Sequence, residues 1–534
     1  MPTFETSTSS PARVAADVLI LPIYRGRVPG PGFAAVSEAM GADLAAVLEE
    51  HGVEGKLGDA FTVPTLGALP SGSLLIVGLG PEGEAGPNAV RRAAQKAAKI
   101  ASRFATVATT LADVGPSLEE SAHALAEGFV LGGYRFDRYK SASSENGDDP
   151  AAKLETVTAL VSGDRRAARA GLRRGEIYAD AANWARDLVN MPAIDATPAF
   201  LGREAEAMAA REGLTCRIWT KADLVKGGFG GILGVGSGSA NEPRMIELEY
   251  ARGGRSAPIA ITGKGITFDS GGLSIKPAEG MEWMKADMGG AAATLAVMQA
   301  VARLRPRLNV VAAIPSAENM SGSAAIRPGD VLHHRGGRTS EVLNTDAEGR
   351  LILADSLSFL AERNPRLMID SATLTGAAMI ALGDDLYAAM GTDRGLVADL
   401  LACGNAEGEP GWELPLWTDY RRHIHSTVAD VKNIGIRWGG AITAGLFLKE
   451  FVGDVPWAHL DVASTAFIER PTDAWPRGAT GSPARTIIRY LEMVAGRDRG
   501  ARSGRAAGAT TAKRSTARGK ATSAPRASRA RARR

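Results

Sequence analysis

Cysteine, histidine and aromatic residues are scarce in this chain. Among its 534 residues there are two cysteines and seven histidines, and 5% are aromatic. Cys216 and Cys403 lie far apart and form no CxxC pair, which excludes a disulfide framework and a cysteine-built zinc site. HExxH and GxSxG are absent, and the glycines around Gly234 and Gly263 fit neither phosphate-binding pattern. Single-zinc, serine, thiol and nucleotide-binding templates are therefore unsupported.

The sequence pattern also lacks a secretory or membrane-spanning segment. Its N-terminus, MPTFETSTSSPAR, carries an acidic residue where a signal peptide needs basic ones, and it has no apolar core. The most apolar later stretch, residues 288–304, is rich in glycine and alanine and flanked by charged residues, which predicts a buried helix. We therefore expect a cytoplasmic protein without a membrane segment, and the scarcity of cysteine suits a reducing compartment.

Charge is distributed unevenly along the chain. From Arg497 to the C-terminus, 13 lysines and arginines accompany one acid, which gives this tail a net charge of +12. Because the whole chain carries +3, the preceding body carries −9. The tail consists almost wholly of Arg, Lys, Ala, Ser, Thr, Gly and Pro, which cannot bury enough apolar surface to offset the entropy of ordering. We expect residues 496–534 to be disordered.

Short apolar runs alternate with helical patterns in both halves of the chain, which predicts two α/β domains. In the first half we expect strands at residues 16–21, 73–78, 105–112 and 156–161 and helices at 34–50, 88–103 and 118–130. In the second half we expect strands at 245–250, 259–263, 308–314, 367–371 and 457–462 and helices at 291–304, 351–363, 441–452 and 483–493. The predicted organisation is an N-terminal α/β domain (1–164), a linking helix (165–190) and a larger α/β/α catalytic domain with a central mixed sheet (191–495).

Charged residues cluster in three segments of the second half, and in such sheets the chemistry lies beyond the carboxyl ends of strands. The first segment, ITGKGITFDSGGLSIKP, follows a predicted strand with Lys264, Asp269 and Lys276 in a glycine-rich stretch. The second, MKADMGG, sets Asp287 just before a helix of small residues. Taken alone, the first segment is also compatible with a surface loop and Asp287 with a helix N-cap.

The third segment, NTDAEGRLILAD, carries Asp346, Glu348 and Arg350. Asp346 and Glu348 are two residues apart and would point the same way in an extended backbone. Helix capping explains one acid before LIL but not the second acid and Arg350, so this segment favours a functional role. Together the three segments supply four carboxylates, which would repel one another unless cations lay among them. Two divalent ions carry the matching charge, so a two-metal centre follows as a hypothesis.

Several strings resemble those of the leucyl aminopeptidase (cytosol aminopeptidase) family. They are GKGITFDSGGLSIKP, MKADMGGAAAT, RPGDV and NTDAEGRLILADSL, of which NTDAEGRL is the family hallmark; DLVNMPAIDATP, DSATLTGA, GGAITAGLFLKEFV and PWAHLDVASTAF are similar too. The resemblance covers residues 185–493, whereas the N-terminal half is similar only in length and alternating pattern. It implies a homohexameric two-metal enzyme that hydrolyses the N-terminal peptide bond of short peptides and releases leucine and other amino acids.

The resemblance also implies a role for each matching residue. Five residues would hold two divalent ions, Mn²⁺ or Zn²⁺: Lys264, Asp269, Asp287, Asp346 and Glu348. Asp269 and Glu348 would bridge the ions, with Lys264 and Asp287 completing the readily exchanged site and Asp346 the tighter one. A water bridging the metals would be the nucleophile.

Two further residues would act on the reacting groups. Lys276 would polarise the scissile carbonyl, and Arg350 would hold a bicarbonate ion that acts as general base. Three segments depart from the family pattern without containing a proposed ligand: GGRT replaces SGKT at 336–339, ENMSGS replaces ENMPSG at 318–323, and VASTAF replaces IAGTAW at 462–467. The last two bear on pocket shape, so the preferred N-terminal side chain stays open.

Two other functions remain open at this point. The basic tail, residues 497–534, is compatible with a nucleic-acid-associated role, as a second or a main activity, and some members of the family that this chain resembles bind DNA. A merely solvated tail is weighed equally. A different two-metal hydrolase, such as a phosphoesterase, ranks lower because its expected histidine-rich ligand set is missing.

Overall fold

The computed structural model describes residues 1–141, 154–472 and 475–499. Within these ranges the chain forms a smaller N-terminal sheet and a larger C-terminal sheet, joined by one long helix. The predicted α/β organisation, with a central mixed sheet in the second domain, is confirmed. The predicted disordered tail lies outside the described residues except for 496–499, which continue a helix that begins at residue 484.

The N-terminal domain is built on a mostly parallel sheet. Its strands β1–β7 are Thr3–Ser7, Val18–Tyr24, Val28–Pro29, Ala60–Pro64, Ser73–Gly78, Thr106–Thr109 and Thr156–Leu160. Their order is β1-β7-β6-β2-β5-β4, with β3 beside β2, and β3 and β4 are antiparallel to their partners. Its helices α1–α4 are Phe33–Met40, Leu44–Glu50, Pro87–Ala101 and Leu118–Gly132, with short 3-10 helices at Pro11–Arg13, Glu82–Glu84 and Leu111–Asp113.

One long helix, α5 (Arg165–Asn190), connects the two domains and packs closely against α4. Glycines make this approach feasible: a Cβ on Gly171 would lie 2.1 Å from the carbonyl oxygen of Glu119, and one on Gly175 would lie 2.2 Å from that of His123. Larger side chains at either position would push the two helices apart.

The C-terminal domain contains the larger sheet and two small ones. Its strands β8–β21 are Thr215–Trp219, Arg244–Ala251, Ile259–Gly263, Gly265–Asp269, Asn309–Asn319, Val331–His333, Thr339–Glu341, Leu367–Ala372, Tyr387–Gly391, Gly411–Glu413, Val431–Lys432, Trp457–Asp461, Phe467–Ile468 and Gly478–Ala479. Its helices α6–α13 are Pro198–Glu212, Lys221–Gly227, Gly230–Gly236, Gly289–Leu304, Gly349–Ala361, Gly376–Leu382, Arg394–Ala406 and Gly440–Lys449. Residues 484–499 form α14, and 3-10 helices lie at Met281–Ala286 and Thr418–Ile424.

The order of the large sheet brings five strand ends together. The order is β17-β16-β19-β15-β10-β12-β9-β8, with β11 beside β12. Five neighbouring strands run parallel to one another: β19, β15, β10, β12 and β11. Strand β16 is antiparallel to β19, β9 is antiparallel to β12, and β8 is antiparallel to β9. The carboxyl ends of the five parallel strands therefore meet at one edge of the sheet.

Two of the differences from the predicted elements have identifiable reasons. The helix predicted at 34–50 is two helices, because Gly41 ends α1 in the left-handed region with φ of 61° and Asp43 caps α2 by accepting hydrogen bonds from two backbone amides. Strand β16 was not predicted, because its small residues, Ala388, Ala389 and Gly391, lack the bulky side chains typical of strands.

The apolar stretch at 288–304 is the core helix α9, buried over almost its whole length. In the part of the chain that the structure describes, no helix combines the length and the apolar character needed to cross a bilayer.

Candidate metal centre

All five predicted ligands lie at the edge where the parallel strands end. Lys264 directly follows β10 and Asp269 is the last residue of β11. Asp287 lies two residues before α9, and Asp346 and Glu348 belong to the turn before α10. The five residues thus converge although up to 84 positions separate them in the printed sequence.

Lys264 is the centre of one buried group of contacts. Its Nζ lies 2.7 Å from Asp287 Oδ2 and 2.7 Å from Glu348 Oε1, and it donates a hydrogen bond to the backbone oxygen of Thr373 at 2.9 Å. Burial lowers the pKa of Lys264, but the charges of Asp287, Glu348 and Asp269 outweigh burial and raise it. A role as metal ligand requires an ion to displace the ammonium proton, which the charge of a divalent cation can do.

Lys276 is the centre of a second, more open group. Its Nζ lies 2.9 Å from Asp269 Oδ2 and 2.5 Å from Asp346 Oδ1. Burial lowers the pKa of Lys276, but the charge of Asp269 and its hydrogen bonds to both acids raise it. Lys276 is therefore a cation beside the same carboxylates that the sequence assigns to the metals.

Three acids are close enough to share an ion. One carboxylate oxygen from each of Asp269, Asp346 and Glu348 lies within 4.8 Å of the other two. Glu348 is 1% exposed, and its Oε2 has no hydrogen-bond partner within the described residues. A buried carboxylate oxygen without a partner is costly in a folded protein. The donor set and this orphaned oxygen fit divalent cations.

Burial and mutual repulsion raise the pKa values of Glu348, Asp346 and Asp287. Burial has the largest effect on Glu348 and Asp346, and the charge of Asp269 raises their pKa values further. Burial also raises the pKa of Asp287 well above its ordinary value, although Lys264 opposes the shift. A bound divalent cation would stabilise the anionic forms that burial disfavours.

Neighbouring polar residues fix the orientation of the ligands. Asp269 Oδ1 accepts hydrogen bonds from Asn319 Nδ2 at 2.8 Å and from the amide of Gly271 at 2.9 Å. Asp287 Oδ1 accepts one from Thr373 Oγ1 at 2.8 Å. Our sequence reasoning assigned no role to Asn319 or Thr373, although both lie in the motifs ENMSGS and DSATLTGA. Asn319 is the last residue of β12, and Thr373 directly follows β15. This position at a strand end is the signal that would have found them.

Arg350 lies apart from the carboxylates, on the first turn of α10. It is buried, its Nη1 donates to the backbone oxygen of Asn433 at 2.8 Å, and its Nε has no hydrogen-bond partner within the described residues. Burial lowers the pKa of Arg350 to about 10, although Glu348 and Asp461 oppose this shift. Arg350 therefore stays charged at neutral pH and has a free N–H for an anion.

The local backbone differs from two expectations. Thr345 and Asp346 form a turn, so Asp346 and Glu348 converge through a tight bend rather than through an extended strand. Asp287 is not a helix N-cap, because Met288 takes that position and the carboxylate of Asp287 faces Lys264. Both differences leave the acids in the ionic cluster.

Family models match both domains of this chain. The model described as the cytosol aminopeptidase family, catalytic domain, matches residues 183–488, and the model of the N-terminal domain of that family matches residues 20–143. The likeness thus extends beyond the segments recognised from the sequence strings into the N-terminal domain.

Relatives and solved structures agree with these matches over most of the chain. Probable cytosol aminopeptidases of Geobacter sp. (strain M21) and Streptomyces coelicolor are each 42% identical, over 91% and 92% of this chain and 99% and 98% of their own lengths. A mutant of tomato leucine aminopeptidase matches with a TM-score of 0.82 and 30% identity, over 92% of this chain and 97% of that chain. The bottromycin maturation enzyme BotP in complex with Mn matches with a TM-score of 0.80 and 37% identity, over 90% of this chain and 100% of that chain.

Proposed function

The chain belongs to the cytosol aminopeptidase family and is thus a metal-dependent hydrolase of N-terminal peptide bonds; from that premise we propose that the cluster around Lys264 and Lys276 performs this reaction on short peptides. Leucine is proposed to be among the residues released. The observation that carries the proposal is the convergence of Asp269, Asp346 and Glu348 beside Lys276, with Glu348 Oε2 buried and without a partner.

The proposed ligands divide into two overlapping sets. Asp269 and Glu348 would contact both ions, because each belongs to the contacts of a different lysine and their carboxylate oxygens lie within 4.8 Å of each other. Lys264 and Asp287 would complete one set and Asp346 the other. The ions are proposed to be Mn²⁺ or Zn²⁺, since carboxylate oxygens accept several divalent metals; the manganese in BotP supports the first.

Lys276 is proposed to stabilise the charge that develops on the scissile carbonyl oxygen. When bound, two divalent ions would lower the pKa of a shared water, bind the free α-amine of the substrate and polarise its carbonyl. An internal peptide bond has no such amine, which restricts cleavage to the N-terminus. Lys276 is half-buried and already charged, so it needs no rearrangement to meet a developing oxyanion.

Arg350 is proposed to hold the general base. Its buried Nε–H is unused within the described residues, and a bicarbonate ion bound there would be within one helical turn of Glu348. This assignment follows the family resemblance, and the free N–H of Arg350 supports it.

Hydrolysis of leucine p-nitroanilide tests the proposal. Enzyme treated with a chelator should be inactive, and added manganese should restore turnover. p-Nitrophenyl phosphate, assayed with the same metal, should stay intact, which separates a peptidase from a phosphoesterase. Turnover of the phosphate ester without turnover of the anilide would overturn the proposal.

A homohexamer is proposed as the working assembly. Large apolar side chains are exposed on the catalytic domain, including Trp412 at 65%, Trp417 at 57% and Trp438 at 71%. Exposed apolar surface of this kind marks interaction sites, and copies of the same chain would cover it. Light scattering should then give six times the mass of the chain, and a monomeric mass would exclude the hexamer.

Nucleic-acid binding by residues 497–534 is proposed as a second activity. The cytoplasm is proposed as the compartment in which the protein works. The tail's excess of 12 positive charges supports this role. Binding to duplex DNA should be independent of sequence and should fall by orders of magnitude between about 50 and 200 mM salt, because counterions are released. Truncation after Ala495 should abolish binding and leave peptidase activity intact. Equal affinity with and without the tail would exclude this activity.

A further inference from the structure

A cleft of about 700 Å³ lies between the two domains, away from the carboxylates of the metal centre. One wall is α3 of the N-terminal domain, and the others are the loop between α11 and β16, the loop after β19 and the start of α14. None of the seven proposed site residues lines it. A cavity of this size accommodates a small metabolite.

Two buried polar side chains in this cleft have groups left for a ligand. Gln95 on α3 is 3% exposed, and its amide makes no hydrogen bond to a described residue. Arg485 on α14 is 1% exposed, and its Nε and Nη1 bond to Glu409 and Glu127, whereas its Nη2 makes no such bond within the described residues. Because both residues line the cleft, the Gln95 amide and Arg485 Nη2 are available to a ligand that carries a carboxylate.

Exposed charges of opposite sign line the cleft from the two domains. Arg92 comes from α3, and Asp384 and Asp385 come from the loop after α11. All three side chains are exposed, and none of them forms an ion pair with a described residue. The cleft therefore has one free positive side and one free negative side, which a ligand with both charges would match.

The remaining lining is partly apolar. Trp475, Ile468 and Pro410 contribute to it. The indole ring of Trp475 has the guanidinium of Arg485 at 5.6 Å and that of Arg186 at 5.3 Å from its centroid, and such cation-π contacts hold the ring in place. An aliphatic side chain would find an apolar surface there.

We propose that this cleft binds a free zwitterionic α-amino acid with an apolar side chain. Its carboxylate would face Arg485 Nη2 and the Gln95 amide, its ammonium group would face Asp384 and Asp385, and its side chain would lie against Trp475. This site is separate from the metal centre and does not depend on the function proposed for it.

One short helix connects the cleft to the metal centre. Helix α11 spans seven residues, about 10 Å at 1.5 Å per residue. Its N-cap, Thr375, donates a hydrogen bond to Asp461 Oδ2 at 2.7 Å. Two residues earlier, the carbonyl of Thr373 accepts a hydrogen bond from Lys264. Its other end leads into Asp384 and Asp385. An amino acid beside Asp384 and Asp385 would therefore lie one short helix away from Thr373, whose carbonyl accepts from Lys264.

Equilibrium dialysis of labelled L-leucine against the full-length, metal-loaded enzyme tests the inference. Wild type should bind two leucines per chain, one at the metal centre and one in the cleft. The double variant Asp384→Asn, Asp385→Asn should lose the cleft site, with Kd raised at least tenfold, and keep the other. Glu348→Gln should lose the metal-centre site and keep the cleft site, so failure at one site is distinguished from failure at the other.

Controls separate charge recognition from damage to the fold. Asp454→Asn removes an exposed acid outside the cleft and should bind two leucines as wild type does. Gln95→Glu keeps the size of the side chain but repels a carboxylate, and it should weaken the cleft site at least tenfold. Leucinamide and N-acetylleucine, which each lack one charge, should bind the cleft at least tenfold more weakly than leucine.

Three outcomes would overturn the inference. They are the absence of bound leucine in Glu348→Gln, unchanged cleft affinity in the Asp384, Asp385 double variant, and N-acetylleucine or acetate binding as well as leucine. The last outcome would mean that the cleft recognises an anion alone.

Discussion

Two largely buried clusters among the described residues have carboxylates close enough to hold a metal ion, yet they differ in the cations that accompany them. In each, three side chains bring ligand atoms within 4.8 Å of one another: Asp269, Asp346 and Glu348 in the metal centre, and His123, Glu127 and Glu407 between the domains. Lysines accompany the first cluster and arginines the second. The cations, rather than the acids, distinguish the two.

The interdomain cluster is saturated by guanidinium groups. Arg91 forms ion pairs with both Glu127 and Glu407, and the Nη1 of Arg485 lies 2.7 Å from Glu127 Oε1. The Nη1 of Arg489 lies 2.6 Å from Glu407 Oε1. Both oxygens of each glutamate thus have a charged partner, whereas Glu348 in the metal centre has one oxygen that pairs with no described residue.

The pKa values shift in opposite directions in the two clusters. Burial raises the pKa of Glu407, but the charges of His123 and Arg91 outweigh burial and hold it well below its ordinary value. In the metal centre, burial and neighbouring acids raise the pKa of Glu348. Arginine stays protonated in proteins and cannot give way to a metal, whereas a lysine amine can lose its proton and move on a flexible stem. We therefore expect the interdomain cluster to keep its arginine ion pairs and join the domains. In the metal centre, we expect metal ions to replace the lysine contacts.

The largest expected difference between the clusters is in catalysis. Glu348→Gln should reduce metal content by at least one ion per chain and lower activity to background, because the remaining acids cannot hold two divalent cations at close range. Elemental analysis and leucine p-nitroanilide turnover measure this. Glu127→Gln, the same substitution in the interdomain cluster, should keep the wild-type metal content. Two ions per chain and normal turnover in Glu348→Gln would refute the ligand assignment.

Stability should show the reverse pattern. Glu127→Gln leaves Arg91 and Arg485 buried with one anion fewer, and breaking a buried ion pair in this way costs about 3–5 kcal/mol. Urea unfolding should report this loss. Glu84→Gln, at an exposed glutamate of the same domain, is the matched control and should be neutral within about 0.5 kcal/mol. A neutral Glu127→Gln would show that the arginines are not held by this carboxylate.

The two lysines of the metal centre should also differ from each other. Lys276→Ala should lower kcat by roughly 10²–10³, as when one oxyanion partner is lost, with metal content and KM nearly unchanged. Lys264→Ala should instead weaken metal binding, and excess manganese should restore part of the rate. Parallel manganese titrations of both variants decide between the roles, and rescue of Lys276→Ala but not of Lys264→Ala would reverse them.

The smallest expected effect is a dependence of stability on pH. Because the folded-state pKa of Glu407 is depressed, its contribution to stability is fully present above the pKa of the unfolded chain, near 4.5, and is lost as pH falls through the folded-state value. The difference in unfolding free energy between wild type and Glu407→Gln should therefore be largest above pH 5 and shrink on acidification. A difference that stays constant from pH 6 to pH 3 would contradict the depressed pKa.

Much of the metal centre could be predicted from the sequence because its residues lie in short segments next to strand ends. Lys264 and Asp269 lie in a segment that follows a predicted strand of the mixed sheet, and chemistry in such sheets lies beyond the carboxyl ends of the strands. Asn319 and Thr373 were missed because an amide and a hydroxyl beside a strand have many ordinary uses in packing and capping.

The sequence by itself determined the alternation of strands and helices and the identity of the charged residues at the metal centre, because hydrophobic periodicity and local motifs encode these directly. Only the tertiary structure decided which groups pair. Lys264 is closest in sequence to Asp269 yet contacts Asp287 and Glu348, whereas Lys276 contacts Asp269 and Asp346. The interdomain cluster depends likewise on a contact between α4 and α14, that of Glu127 with Arg485, which are 358 positions apart, and the cleft is lined by residues of α3 and α14. Such contacts follow from how whole elements pack and from the burial that packing imposes, and no local pattern of residues specifies them.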